Sequence, residues 1–210
     1  MRVFQLETLP CGTVTPSVVC LGVFDGVHLG HQKLIAECLR VAKENDLLPI
    51  LHTYEPLPMQ VIAPDEELLV LTTTKERLNL IEHYGIKSIA ISRFDHKLQY
   101  TSGLDFFEQV LLGKLNAKHI VAGYDHRFGF NGDTDILKLK ALCTQKGIGV
   151  SVIPPVKTPA GQLISSTAIR KAIVNADYDL AEEMLGRPLE HAMKQRLNNT
   201  VLSREGKTEV

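Results

Sequence analysis

Apolar residues along the chain fall into two rhythms. Short, nearly continuous apolar runs alternate with longer stretches in which apolar residues recur every three or four positions. Ser17–Val23, Leu48–Thr53, Ser88–Ser92, His119–Gly123 and Gly149–Ile153 are of the first kind and read as strands. Their lack of polar alternation fits strands covered on both faces. His31–Asn45, Thr73–Tyr84, Gly103–Leu112 and Asp135–Lys146 are of the second kind and read as helices. Lys146-Gly147 is a fitting stop, a cation followed by a residue that tolerates the left-handed turn. A further helix is expected after Ser165, and a short one over Tyr178–Leu185 that closes at Gly186. Repeated strand–helix–strand units predict an α/β fold, a doubly wound parallel sheet of about five strands. Ligands of such sheets bind beyond the carboxyl ends of the strands. The segments that follow each strand therefore carry the question of function.

Composition narrows the classes. With 210 residues, 44% of them hydrophobic, the chain can bury a core without disulfides. A formal net charge of −1 with scattered Lys and Arg offers no basic field, so no nucleic-acid partner is expected. Cys11, Cys20, Cys38 and Cys143 form no CxxC pair, which argues against a zinc ribbon or a redox motif. Cys20 and Cys38 fall in apolar patterns and read as buried thiols. The opening MRVFQLETLP has no long apolar segment, and no stretch reaches roughly 18 apolar residues. No membrane association is expected, and the reading is of a cytoplasmic, reduced protein.

Two post-strand segments stand out. After the first strand comes FDGVHLGH, in which Gly22, Gly26 and Gly30 surround His28 and His31. Glycines there let backbone amides approach an anion, and the following helix adds its positive end. His28 and His31 are three apart, so on a helical turn they share a face and can donate to phosphate oxygens. Capping histidines, or half of a metal site, are the competing readings. After the last strand comes ISSTAIRKAI, where Ser165 or Ser166 can cap a helix and Arg170 follows Thr167 by three. An ordinary cap beside a solvated arginine is the plain alternative. Asp25 reads as a residue that orients its turn, and Phe24 as core packing.

Taken together, GVFDGVHLGHQ resembles the G-x-F-D-x-x-H-x-G-H signature of the HxGH nucleotidyltransferases, and ISSTAIR resembles their S-T-x-x-R motif. With GYDHRFG and LGRP added, the chain resembles the FMN adenylyltransferase domain of the prokaryotic FAD synthetases, from Val18 to Pro188. The resemblance implies a Rossmann-like nucleotidyltransferase fold and the reaction FMN + ATP → FAD + pyrophosphate. It implies catalytic roles for His28, His31 and Arg170. It assigns ATP to Gly22, Phe24, Gly30, Gly123, Asp125, Ser166 and Thr167, and the flavin to Tyr54, Pro56, Leu57, Pro58, Asp125, His126 and Phe128. Mg²⁺ would enter with ATP, bridging phosphates through water without dedicated protein ligands.

Three departures accompany the resemblance. The family's F-x-P-H-P reads Tyr54-Glu55-Pro56-Leu57-Pro58 here, His126 stands where an aromatic is usual, and the loop before Gly132 is about two residues short. All three border the expected flavin side. Residues 1–188 are expected to form the nucleotidyltransferase domain and 189–210 a polar tail, with no riboflavin kinase domain, hence a monofunctional enzyme. Residues 54–67 are expected to form a long loop that covers the flavin ring. Two other readings stay open: transfer of a nucleotidyl group to another phosphorylated acceptor, such as phosphopantetheine, nicotinamide mononucleotide or a polyol phosphate, or a weakly catalytic flavin-nucleotide sensor. The oligomeric state is not encoded in any of these signals.

Overall fold

Six strands build one parallel sheet in a computed structural model that describes residues 1–66, 68–189, 193–195 and 197–200. They are β1 (Arg2–Gln5), β2 (Ser17–Leu21), β3 (Leu48–Glu55), β4 (Ser88–Arg93), β5 (Ala117–Gly123) and β6 (Gly149–Ile153). Their order is β1-β4-β3-β2-β5-β6, and every neighbouring pair is parallel. The five expected strands are all present. The sixth, β1, lies on the edge beyond β4, with Phe4 beside Ala90. Only Phe4 of its four residues is buried, so it leaves no apolar run to read. From β2 the chain winds outward through β3 and β4, then returns to build β5 and β6 on the other side. The order reverses between β2 and β5, which is where such sheets open a crevice for a ligand.

Helices cover both faces. α1 (Leu29–Asn45), α2 (Pro58–Ile62), α3 (Thr74–His83), α4 (His96–Gln99), α5 (Gly103–Asp105), α6 (Ile136–Lys146), α7 (Ser166–Val174) and α8 (Tyr178–Leu185) follow the strands. The expected helix over 103–112 is a single α-turn that widens into a π-helix, Phe106–Lys114. Its i to i+5 repeat brings Phe106 and Leu111 to one side, and both are buried there with Phe107. Thr73 and Glu76 form a capping box for α3, and Gly147 and Gly186 end α6 and α8 in the left-handed region.

Alternation across β2 divides the core. Val19 and Leu21 face one side with Ile50, Phe107 and Leu111, while Val18 and Cys20 face the other with Ile35, Cys38 and Ile81. Cys20 and Cys38 are buried, and burial together with the neighbouring Cys38 pushes the Cys20 thiol well up, which leaves it inert. Arg77 of α3 is buried too, its guanidinium donating to the Tyr54 carbonyl at 2.8 Å and fixing the end of β3. A third cluster joins Leu69 and Leu71 to Ile169, Ile173, Met184 and Leu185. It also takes in Met193 and Leu197, four apart in residues that are helical. Packing thus continues past the expected boundary at residue 188. Two apolar positions among polar neighbours anchor the start of what reads as a polar tail. Residues 201–210 of that tail lie outside the described residues. Among the described residues no helix is long and apolar enough to cross a membrane.

Candidate active site

β2 ends at Leu21, and the chain then makes an unusual turn before α1. Phe24 and Val27 both have positive φ, 59° and 41°, a conformation costing about 1–3 kcal/mol for such residues. The turn persists because its surroundings hold it. Asp25, 1% exposed, accepts hydrogen bonds from the Leu71 amide (3.0 Å), the Thr72 amide (2.8 Å), the Thr72 hydroxyl (2.9 Å) and Arg170 Nη2 (2.5 Å). The Gly26 amide donates to Thr72 Oγ1 at 3.0 Å, and the Ser166 hydroxyl donates to the Asp25 carbonyl at 2.9 Å. Gly26 has φ +84°, and a Cβ there would lie 2.9 Å from Leu71 Cδ1. On the other side Arg187 donates to the carbonyls of Gly26 (2.7 Å) and Val27 (3.1 Å). Gln32 bridges the carbonyls of Val27 and Leu185 at 3.1 and 2.9 Å. Three distant segments therefore converge on one turn.

The two histidines follow from that geometry. His28 Nδ1 accepts from the His31 amide at 3.3 Å, capping α1, so the neutral ring carries its proton on Nε2. The two imidazoles stack with centroids 3.7 Å apart and 17° between planes, the shared face that their spacing predicts. Burial, helped by the positive charge of Arg187, pushes His28 down to about 4. Burial and the neighbouring His28 push His31 well below its ordinary value. At neutral pH both rings are uncharged N–H donors. Among the described residues His31 Nδ1 is buried without a hydrogen-bond partner.

A cavity of about 290 Å³ opens at the switch point between β2 and β5. Gly22, His28, Gly30, His31, Gly123 and Asp125 line it, and Ser166 and Thr167 face it from the start of α7. Ser165 caps that helix by accepting from the Ala168 amide at 3.1 Å. Two members of the expected set stand elsewhere. Phe24 is 0% exposed and packs in the core, its ring 4.9 Å from that of His31. Arg170 does not line the cavity: Nε donates to the Leu69 carbonyl at 2.8 Å and Nη2 pairs with Asp25. A carboxylate removed from water needs a counter-charge, and Arg170 supplies it.

A second cavity of about 400 Å³ adjoins the first. Of the residues expected at the flavin, Tyr54, Pro58, His126 and Phe128 line it. Pro56 instead borders a separate hollow beside Thr74 and Arg93, and Asp125 belongs to the first cavity. Leu57 is 4% exposed and turned into the core at the head of α2. The segment 54–67 is not one long loop, because β3 runs on to Glu55 and α2 follows; Glu67 lies outside the described residues. Phe94, Gln99, Ile62 and Phe106 also line it, and Arg127 and Asn131 border it from the loop after β5. No motif marks the first four, which come from separate elements. Beneath them His52 is buried against the Ser92 hydroxyl at 2.8 Å, and burial pushes its ring down to about 3. Among the described residues no group of three or more His, Cys, Asp or Glu side chains could hold a metal ion.

Residues 12–168 match the FAD synthetase family. The chain belongs to that family. Among its relatives, the FAD synthetase of Listeria monocytogenes is 33% identical across 90% of this chain and 76% of its own length. The bifunctional riboflavin kinase/FMN adenylyltransferases of Bacillus subtilis and of Buchnera aphidicola from Schizaphis graminum are 36% and 35% identical over 82% of the chain. The chain spans about half the length of these bifunctional relatives, 54% and 55%. In three dimensions it is similar to a macrolide-efflux protein from Streptococcus pneumoniae, with TM-score 0.77 and 29% identity over 90% of this chain and 61% of that one. A pantoate-β-alanine ligase from Francisella tularensis shares the fold, with TM-score 0.52 and 14% identity over 95% and 86% of the two chains. The FAD synthetase match ends before Arg170, α8 and the Arg187 clamp. Arg187 lies within LGRP, which carries part of the resemblance, but the carbonyls it holds are 160 and 161 positions away in the sequence.

Proposed function

We propose that this FAD synthetase family member transfers AMP from ATP to FMN, releasing FAD and pyrophosphate. One observation carries the reading: a donor-lined cavity and an aromatic-lined cavity meet at the switch point, sharing Val23 and His126 as a common wall. The first suits the ATP phosphates; the second, walled by Tyr54, Phe94, Phe106 and Phe128, suits a flat apolar ring. An FMN phosphate oxygen attacks the α-phosphorus of ATP, a P–O bond forms, and the bond to the bridging oxygen of the leaving pyrophosphate breaks. The nucleophile is already ionised, so alignment and charge stabilisation suffice without a general base. His28 Nε2–H, His31, the Ser166 and Thr167 hydroxyls and the first amides of α7 are the donors to the triphosphate. Arg170 acts through Asp25, holding α7 against the turn.

Mg²⁺ is part of this proposal, and it would neutralise phosphate charge when bound. The donor set fits a metal that arrives with ATP. Among the described residues Asp125 is the sole carboxylate lining the nucleotide cavity, leaving most of the coordination to phosphates and water. A cytoplasmic location, with no nucleic-acid or membrane partner, completes the reading, supported by the near-zero net charge and buried reduced thiols. The departure at Leu57 does not weaken it, since that side chain is in the core. Incubation with ATP, Mg²⁺ and FMN should yield FAD and pyrophosphate in equal amounts by chromatography. Consumption of phosphopantetheine or nicotinamide mononucleotide in place of FMN would overturn the assignment.

A further inference from the structure

A third hollow, of about 340 Å³, opens beside the first two and is walled by Tyr124, Asp135 and Leu137. One residue, His126, borders all three. It sits just past β5 in a tight turn, its amide donating to the Gly123 carbonyl at 3.1 Å. Its ring lies 5.8 Å from that of Phe128. The other wall shared by the first two cavities is Val23, which has no polar side-chain atom. His52 and His119 are engaged by serine hydroxyls and His28 by a backbone amide. The His126 ring makes no hydrogen bond among the described residues.

We infer that His126 is the donor that receives the phosphate of the acceptor as it passes from the aromatic cavity into the nucleotide cavity, so that it selects a phosphorylated flavin over an unphosphorylated one. The inference rests on the proposed function. It assigns a task to the position where this chain departs from the usual aromatic. An acceptor whose ring fills the second cavity must extend its phosphate past Val23 and His126 to reach the α-phosphorus. Along that path the imidazole N–H is the side-chain donor within the shared wall. Burial pushes His126 down to about 4 against the opposing pull of Asp125, so the ring meets the phosphate as a neutral donor. A hydrogen bond to a charged group is worth about tenfold or more in affinity.

The test compares FMN with riboflavin, two ligands that differ by the phosphate alone, using quenching of flavin fluorescence on the intact chain. The wild type should bind FMN more tightly than riboflavin. His126→Phe keeps an aromatic wall and removes the N–H; it should bind riboflavin as before and FMN about tenfold more weakly. His126→Gln restores a donor and should recover most of the preference; in turnover, His126→Phe should raise KM for FMN with little change in KM for ATP, and His126→Gln should bring KM for FMN back towards the wild type. Thermal unfolding of each variant checks that it is folded. A His126→Phe protein that still prefers FMN by the wild-type margin would overturn the inference while leaving the proposed reaction intact. A wild type that binds neither flavin would overturn the proposed reaction, and the inference with it.

Discussion

Removing the His28 imidazole takes away both the cap of α1 and an N–H facing the nucleotide cavity, and two substitutions separate these losses. His28→Ala should lower the unfolding free energy by about 1 kcal/mol through the cap and reduce turnover by about 10²–10³ through the donor. Asn is a strong cap, so His28→Asn should recover the unfolding midpoint but not the rate of FAD formation. Recovery of both would show that capping is the whole role. Arg170 calls for a different comparison, because two of its bonds lie inside the protein. Arg170→Met leaves Asp25 buried without a counter-charge and should cost about 3–5 kcal/mol of stability. Arg170→Lys keeps the charge but not the second bond to Leu69, so stability and turnover should fall together and by less. A Lys variant that unfolds like the wild type yet has lost turnover would mean that the guanidinium works on the phosphates instead.

At the scale of elements, Gln32 of α1 reaches the Leu185 carbonyl at the end of α8, and Arg187 just beyond α8 reaches the carbonyls of the turn before α1. Arg187→Met should loosen the Gly26–Val27 carbonyls and raise KM for ATP about tenfold, in keeping with the loss of hydrogen bonds from a charged donor. It should also raise the His28 pKa from about 4, since the positive charge of Arg187 opposes protonation of that ring; imidazole resonances followed by NMR across the pH range give that readout. Much of this layer was legible in the sequence. Strands β2 to β6 are apolar runs, and the glycine stops at Gly147 and Gly186 stand where the periodicity ends. What escaped has physical reasons. β1 buries one side chain, so periodicity has nothing to count. The π-helix differs from an α-helix by a repeat that a pattern of three and four cannot separate. Arg170 reads as a free fork for phosphate, because sequence does not reveal that Asp25, 145 positions earlier, is sealed from water beside it. The shared face of His28 and His31 was legible because it depends on a spacing within one turn.

For the molecule as a whole, several imidazoles are held neutral. His28 and His126 stand at about 4 and His52 at about 3, all below the ordinary 6.5. The folded chain therefore binds fewer protons than the unfolded chain once pH drops below about 6.5, and stability is lost from there downward until the folded values are reached. Each histidine contributes about 1.4 kcal/mol per pH unit within that window, and the three together about 4. Melting temperatures should be flat from pH 7 to 8 and fall steeply between about 6 and 4.5; His52→Gln should flatten the descent. A melting temperature unchanged from pH 7 to 5 would refute the neutral-histidine account. The Arg187 clamp has a consequence of another kind, for a chain that is made from one end. Arg187 holds Gly26, 161 residues upstream. At about 5–20 residues per second, roughly 8–30 s pass on the ribosome between the synthesis of the turn and that of its last support. Until Arg170 is made the left-handed Phe24 and Val27 have no arginine beside their loop, and until Arg187 is made the Gly26 and Val27 carbonyls lack theirs. The nucleotide cavity is walled in part by Ser166 and Thr167, so its lining is complete only once α7 has been made.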